Sequence, residues 1–204
     1  LKSRGMDAPK LAIGDGAMGF WAALDEVCPE TRQQRCWQHK TMNVLNCLPK
    51  LSQPKAKAAI HNIWQAETKA DAEKAFDLFI KTYEPKYPKA ALCLQKDREE
   101  LMAFFNFPAQ HWQSIRTSNP IESAFATIRH RTKRSKGCLS RDGMLHNLSW
   151  FAMQTTVGQR MFKLGQCAEQ NWRKLRGFDY LAKVITGVTF KDGIETTEQG
   201  QIAA

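Results

Sequence analysis

The chain has 204 residues, of which 43% are hydrophobic, so it is long enough to bury a core of its own and is not disordered over most of its length. Its formal net charge of +10 is typical of proteins that bind polyanions, although many basic proteins have other partners. No stretch approaches the roughly 18 consecutive apolar residues of a membrane span, and the six cysteines follow no regular spacing, so the sequence predicts a cytoplasmic protein with reduced thiols.

The first predicted elements are a short strand, a helix and a second strand. Residues 11–14 form an apolar run that Asp15 and Gly16 close, which indicates a buried strand ending in a turn. Apolar residues then recur at helical spacing over residues 17–24, which predicts an amphipathic helix. Residues 31–37 predict a second strand, although few of them are apolar.

A long helical segment follows, from residue 41 to about residue 105. Pro54 and Pro88 are placed as first-turn prolines, and Thr68 with Asp71 has the spacing of a capping box. The residues predicted to face inward are Ala72, Ala75, Phe76, Phe79, Tyr83, Leu101, Phe104 and Phe105.

The clearest helix start in the sequence is at Asn119, with Pro120 in the first turn and Glu122 at the third helical position. Glu122 has two interpretations. A glutamate at this position caps the first turn and complements the helix dipole. However, Arg129 lies two turns further on the same face, so the pair could instead hold a divalent cation and a DNA phosphate. A further helix is predicted from Asp142.

Two other features also have a structural and a chemical interpretation. Asp15 follows a strand and lies between glycines, where its carboxylate can project toward a metal ion, but Asp and Gly are also the commonest turn formers. The basic run at residues 129–136 is either solvated surface or a phosphate-binding face. The second interpretation is favoured because residues 111–141 hold seven Lys or Arg and one acid, whereas residues 50–105 hold ten and eight.

Cys36 and His39 form a Cys-x-x-His pattern. A structural zinc site needs four ligands, and no second Cys or His pair stands at a suitable spacing, so we expect no structural zinc. A zinc-dependent module that binds RNA or DNA is nevertheless an alternative, and it predicts stoichiometric zinc in the purified protein.

Five motifs occur in a fixed order along the chain. They are Gly14-Asp15-Gly16, then Arg35-Cys36-Trp37-Gln38-His39, then Phe107-Pro108, then the segment from Ile115 to Glu122, and then the segment from Ile128 to Lys133. In this order they resemble the Mutator-type transposases of bacterial insertion sequences. The resemblance covers nearly the whole chain, from residues 1–5 to residues 172–178.

The resemblance implies an α/β fold, namely the C-terminal part of an RNase H-like core that is mainly helical, with at most two parallel strands and an all-helical insertion. The strand at residues 11–14 would then have an exposed edge. The implied division of the chain is residues 1–40 for the second half of the core sheet, 41–110 for the insertion, 111–190 for the core helices with Glu122 and the basic run, and 191–204 for a flexible tail.

The resemblance also implies DNA cleavage and strand transfer by two-metal phosphoryl transfer, which mobilises an insertion sequence. Asp15 and Glu122 correspond to the second and third acids of the family's catalytic triad, so we expect them to bind Mg²⁺ or Mn²⁺, two ions in the intact parent protein, with their carboxylates within about 8 Å of each other. Cys36 and His39 match a family signature whose role is open. The residues expected to contact DNA are Arg116, Arg129, Arg131, Lys133, Arg134 and Lys136.

The first acid of the triad belongs on a strand expected before Leu1, as does the family's DNA-binding region. Asp7 and Asp25 are poor substitutes, because neither ends a buried strand. We therefore expect this chain to be inactive by itself, whereas the parent protein binds transposon ends and target DNA and self-associates. The alternative is a non-enzymatic, transposase-derived DNA-binding fragment or regulator.

Overall fold

The computed structural model describes residues 5–119, 122, 123, 125, 126, 163, 165–167, 169, 170, 172 and 174–196. The chain divides into two compact units, the first made of Leu1–Ser118 and Leu175–Ala204, the second of Asn119–Lys174. The described residues are mainly helical and contain two small sheets of two strands each.

The elements of the first unit follow one another in the order strand, helix, strand, a series of helices and a terminal hairpin. They are β1 (Leu11–Gly14), α1 (Met18–Val27), β2 (Arg32–Arg35), α2 (Trp37–Asn46), α3 (Gln53–Trp64), α4 (Lys69–Tyr83), α5 (Pro88–Gln95), α6 (Arg98–Met102), two 3₁₀ turns (Ala103–Asn106 and Ala109–His111), α7 (Trp112–Ile115), α8 (Asp179–Ile185), β3 (Phe190–Lys191) and β4 (Ile194–Glu195).

Strands β1 and β2 form a parallel pair, in which Leu11 lies opposite Arg32 and Gly14 opposite Arg35. The crossover helix α1 connects them, as a parallel pair requires. The prediction of a mainly helical chain with a two-strand parallel sheet is therefore confirmed.

Helix α1 forms as predicted, but its apolar side chains are not buried. Phe20 is 50% exposed and Met18 is 86% exposed. Trp21 packs back on the strand, since a Cβ atom placed on Gly14 would lie 2.8 Å from the Trp21 ring. Within the described part of the chain this sheet has two strands, which cover little of the helix, so the predicted apolar face is largely exposed.

Helices α2 to α7, here called the helical block, enclose the main hydrophobic core. The predicted helix starts are confirmed: Pro54 and Pro88 occupy first turns, and the Thr68 hydroxyl accepts a hydrogen bond of 3.1 Å from the amide of Asp71. Of the residues predicted to face inward, Ala72, Phe76, Phe79, Leu101, Phe104 and Phe105 are buried, and Ala75 and Tyr83 are partly buried.

A hairpin of β3 and β4 docks on the helical block. The Asp192 carboxylate accepts a hydrogen bond of 2.6 Å from the amide of Lys69, at the start of α4. The amide of Gly193 donates to the carbonyl of Phe105 at 3.2 Å. The prediction of a flexible tail from residue 191 is therefore wrong for residues 191–195, which belong to this hairpin. The predicted helix start at Asp142 and the tail beyond residue 196 lie outside the described residues.

Candidate functional site

Asp15 lies in the turn between β1 and α1. Its side chain is exposed, and one carboxylate oxygen accepts a hydrogen bond of 3.1 Å from the amide of Ala17. This bond orients the carboxylate at the end of the strand without neutralising its charge, and a carboxylate oxygen can still coordinate a cation. The turn interpretation and the metal interpretation of Asp15 are therefore compatible.

Arg35, the last residue of β2, packs against the glycine that follows Asp15. Gly16 has a φ of +95°, which L side chains rarely adopt, and a Cβ atom there would lie 1.1 Å from Nη1 of Arg35. Nη1 of Arg35 is buried and has no hydrogen-bond partner among the described residues. The Asp15 turn thus requires glycine at position 16 both for its backbone conformation and for the room that Arg35 takes.

Asp97 forms an ion pair with Arg35. Its carboxylate accepts a hydrogen bond of 2.9 Å from Nε of Arg35 and pairs with the ammonium group of Lys40, whose side chain is fully buried. Lys40 also donates to the carbonyl of Cys93 at 2.9 Å. Burial raises the pKa of Asp97, but Lys40 and Arg35 lower it more, so its pKa is below the ordinary value.

Sequence reasoning missed this ion cluster. Asp97 is the N-cap residue of α6, but its side chain makes no capping hydrogen bond. One signal was available, because Lys40 lies on the face of α2 that also carries the buried Trp37 and Val44. A lysine on an apolar helix face predicts a buried acidic partner, although not which acid.

Cys36, His39 and Ser118 form a compact polar cluster. The sulfur of Cys36 lies 3.3 Å from Nδ1 of His39, and it accepts hydrogen bonds of 3.3 Å from both the amide and the hydroxyl of Ser118. The hydroxyl of Ser118 also lies 3.4 Å from Nδ1 of His39. Burial raises the pKa of Cys36, but the hydrogen bonds from Ser118 and His39 outweigh it and lower the pKa below the ordinary value of 9.0.

Arg116, a predicted DNA-contact residue, is held against the end of α3. Its guanidinium carbon lies 4.5 Å from the centre of the Trp64 ring, and Nη1 donates to the carbonyl of Trp64 at 2.7 Å. Burial lowers the pKa of this guanidinium. These contacts fix the side chain, and its role in DNA binding stays a prediction.

Glu122 is exposed in a helical stretch of the second unit, whereas Asp15 belongs to the first unit. Their expected approach to within about 8 Å stays a prediction. Among the described residues, no group of three or more His, Cys, Asp or Glu side chains is placed to hold a metal ion. The remaining predicted DNA contacts, Arg129, Arg131, Lys133, Arg134 and Lys136, lie outside the described residues.

None of the helices in the described part of the chain is both long enough and apolar enough to cross a membrane.

Comparison with known proteins decides the family. The family model described as "Transposase, Mutator family" matches residues 1–145. The chain belongs to the Mutator family of transposases. The family expected from five ordered motifs is thereby confirmed, and the matched segment includes the Asp15 turn, the cluster of Cys36 with His39 and Ser118, and Glu122.

Transposases of insertion sequence elements from several bacteria are similar to the chain. The transposase for insertion sequence element IST2 of Acidithiobacillus ferrooxidans is 54% identical over 195 residues, which cover 95% of this chain and 62% of the relative. The transposase for insertion sequence element IS6120 of Mycolicibacterium smegmatis is 45% identical over 192 residues, which cover 94% of this chain and 55% of the relative. The chain therefore spans less than two thirds of the length of these two relatives.

Proposed function

We propose that the chain is the part of an insertion-sequence transposase that supplies Asp15 and Glu122 to a divalent-metal site for DNA cleavage and strand transfer. Membership of the Mutator family and similarity to the IST2 and IS6120 transposases support a role in transposition. The proposal includes an RNase H-like core and self-association of the longer protein.

The position of Asp15 is the observation that carries this proposal. In open α/β sheets, ligands bind beyond the carboxyl ends of the parallel strands, and Asp15 directly follows the carboxyl end of β1. Its carboxylate is exposed and belongs to a turn whose backbone conformation Gly16 permits and against which Arg35 packs. A charged oxygen ligand fixed in this place suits Mg²⁺ or Mn²⁺.

The two acids would coordinate the metal ions, and the basic residues would bind DNA. When bound, the ions would polarise the scissile phosphate and favour the ionised form of the attacking hydroxyl. Asp15 and Glu122 are two carboxylates, and a pair of ions calls for more ligands than these. Arg116 and Arg129 would orient the DNA backbone, together with Arg131, Lys133, Arg134 and Lys136.

A second candidate function is a DNA-binding fragment or regulator without catalytic activity. One observation favours it, namely the formal net charge of +10, which suits binding to a polyanion and requires no catalysis. This candidate predicts DNA binding without cleavage or strand transfer, in the longer protein as well as in the chain alone.

A nicking and strand-transfer assay on DNA that carries transposon ends separates the two candidates. The chain is assayed by itself and also fused to the portion of the IST2 transposase that it does not cover, with Mg²⁺ or Mn²⁺. We expect the chain alone to be inactive and the fusion protein to cleave and join DNA. In the fusion protein, Asp15→Asn and Glu122→Gln should abolish both reactions and spare DNA binding, whereas Arg129→Ala should leave partial activity.

Two results would contradict the proposed metal site. Cleavage by the fusion protein that survives Asp15→Asn would remove Asp15 from the site. Metal-dependent cleavage by the chain alone would mean that another acid completes the site, with Asp7 and Asp25 the first to be replaced.

The salt dependence of DNA binding tests the basic run. If residues 129–136 make about four phosphate contacts, log K should fall against log salt with a slope of about −3.6. Replacing Arg131, Lys133, Arg134 and Lys136 by alanine should flatten this slope. A matched control replaces four exposed lysines of the helical block, namely Lys55, Lys57, Lys81 and Lys89. Equal slopes for the two variants would show that the basic run is only solvated surface.

A further inference from the structure

Cys36 lies where two functional segments of the chain meet. Its backbone amide donates a hydrogen bond of 2.8 Å to the carbonyl of Gly14, the residue before Asp15. Its sulfur accepts hydrogen bonds from Ser118, the last residue of the first unit before the segment that carries Glu122. One residue therefore contacts both the residue before Asp15 and the last residue of the first unit before Asn119.

The surroundings of Cys36 keep this junction rigid. The next residue, Trp37, donates its amide to the carbonyl of Arg116 at 3.0 Å, so residues 116–118 are held at both ends. The indole of Trp37 is buried and donates to the carbonyl of Leu101 at 2.9 Å. The junction is thus attached to the core of the helical block and not to a loop that could move freely.

Against the effect of burial, the hydrogen bonds around the sulfur favour its ionised form and lower the pKa of Cys36. Cys36 is the N-cap residue of α2, a helix of 10 residues without an acidic side chain in its first turn, and the positive end of a helix favours a thiolate. The amide and hydroxyl of Ser118 both donate to the sulfur, and Nδ1 of His39 lies within hydrogen-bond distance. A charged acceptor strengthens such bonds relative to a neutral thiol.

A nucleophile or a modification site fits the structure less well, because it must be reached by a reagent, whereas Cys36 is completely buried. The geometry instead resembles an anchor in which one residue joins two segments, one through its backbone amide and the other through its sulfur.

We propose that Cys36 is a positioning residue, whose amide holds the Asp15 turn and whose sulfur holds residues 116–118, so that it helps to place the Asp15 carboxylate. The catalytic part of this inference rests on the proposed function, because it takes Asp15 as a metal ligand. The anchoring part stands on the hydrogen bonds alone. Ser118 and His39 act through Cys36 and share its role.

Hydrogen–deuterium exchange on the complete chain tests the anchor. Cys36→Ala removes the acceptor of the Ser118 amide, so we expect exchange of that amide to become about tenfold faster or more. Cys93→Ser is the matched control, since Cys93 is a partly buried thiol of the same unit that lies outside the cluster. Amides in the middle of α4, such as that of Phe76, should keep their protection in both variants.

Milder variants keep the test decisive if Cys36→Ala does not fold. Ser118→Ala removes only the hydroxyl donor, and Cys36→Ser keeps a small neutral acceptor, so each should accelerate exchange at Ser118 less than Cys36→Ala would. Unchanged exchange at Ser118 in Cys36→Ser and in Ser118→Ala would overturn the anchor.

The catalytic part is tested in the fusion protein by the metal concentration that gives half-maximal cleavage. We expect Cys36→Ala to raise this concentration about tenfold, while DNA affinity stays unchanged and Cys36→Ser recovers part of the loss. A fall in maximal rate without a shift in metal dependence would contradict a positioning role. If the fusion protein with Cys36 intact shows no cleavage, the proposed function fails, and the exchange experiment still decides the anchor.

Discussion

The helical block and the strand–helix segment before it differ in how far they bury their apolar residues. In the helical block, Phe76, Phe104 and Phe105 are completely buried in one core. In the segment before it, the four residues of β1 are only partly buried, and α1 contains no buried residue. The helical block is therefore stabilised by packing, whereas the Asp15 turn depends on a few specific contacts from Arg35, Cys36 and Trp21.

The largest expected effect tests this difference directly. Phe76→Ala should lower the free energy of unfolding by about 3–5 kcal/mol, because it leaves a cavity in the core and removes the ring on which Arg98 lies at 4.8 Å. Phe20→Ala removes the same group from α1, where the ring is 50% exposed, and should cost less than about 1 kcal/mol. Urea unfolding followed by circular dichroism measures both, and equal losses would refute the comparison.

Asp97→Asn should have the next largest effect, about 2–3 kcal/mol. It leaves the buried ammonium group of Lys40 without its anion, and the value is below that of a fully buried pair because the Asp97 side chain is 20% exposed. Asp77→Asn is the control, since Asp77 is 65% exposed in its pair with Arg98 and should contribute less than about 1 kcal/mol.

The pH dependence gives a second measurement of Asp97. Its pKa in the folded protein is lower than in the unfolded chain, so its contribution to stability is complete above its ordinary value of 3.8 and is lost as the pH falls through the folded pKa. The wild-type protein should therefore lose more stability on acidification than Asp97→Asn does. Parallel acid-unfolding curves would show that the pair with Lys40 contributes nothing.

Gly16→Ala should destabilise the Asp15 turn by about 2–3 kcal/mol, through the strained backbone and the displacement of Arg35. Gly187→Ala separates the two causes. Gly187 has a similar φ of +90° but no atom within 4 Å of an added Cβ, so it should show the backbone strain alone, about 1–2 kcal/mol. Thermal unfolding measures both variants, and equal losses of stability would show that Arg35 does not support the turn.

The smallest effect distinguishes two thiols by the sign of their pH dependence. The pKa of Cys36 is lowered, so its ionisation adds stability that grows as the pH rises from the folded pKa toward the ordinary value of 9.0. Burial raises the pKa of Cys93, so its contribution is complete below 9.0 and is lost at higher pH. Relative to the wild type, the stability of Cys36→Ser should therefore fall as the pH rises, and the stability of Cys93→Ser should increase. Thermal unfolding across this range is the measurement, and slopes of equal sign would contradict the assignment.

The sequence by itself determined the elements whose causes are local. The capping box at Thr68, the first-turn prolines Pro54 and Pro88, and the apolar spacing around Phe76 act within one or two helical turns, and the structure shows each as expected. The order of five short motifs was also enough to identify the family, because motifs of contiguous residues need no knowledge of the fold.

Only the tertiary structure decided which distant residues meet. Arg35 and Asp97 are 62 positions apart, and Cys36 and Ser118 are 82 positions apart. No periodicity relates such pairs, because they are set by how the helical block folds back on β2. The exposure of the apolar side chains of α1 could not be predicted from the sequence either. An apolar stripe indicates a face that favours burial, but not whether another element covers it.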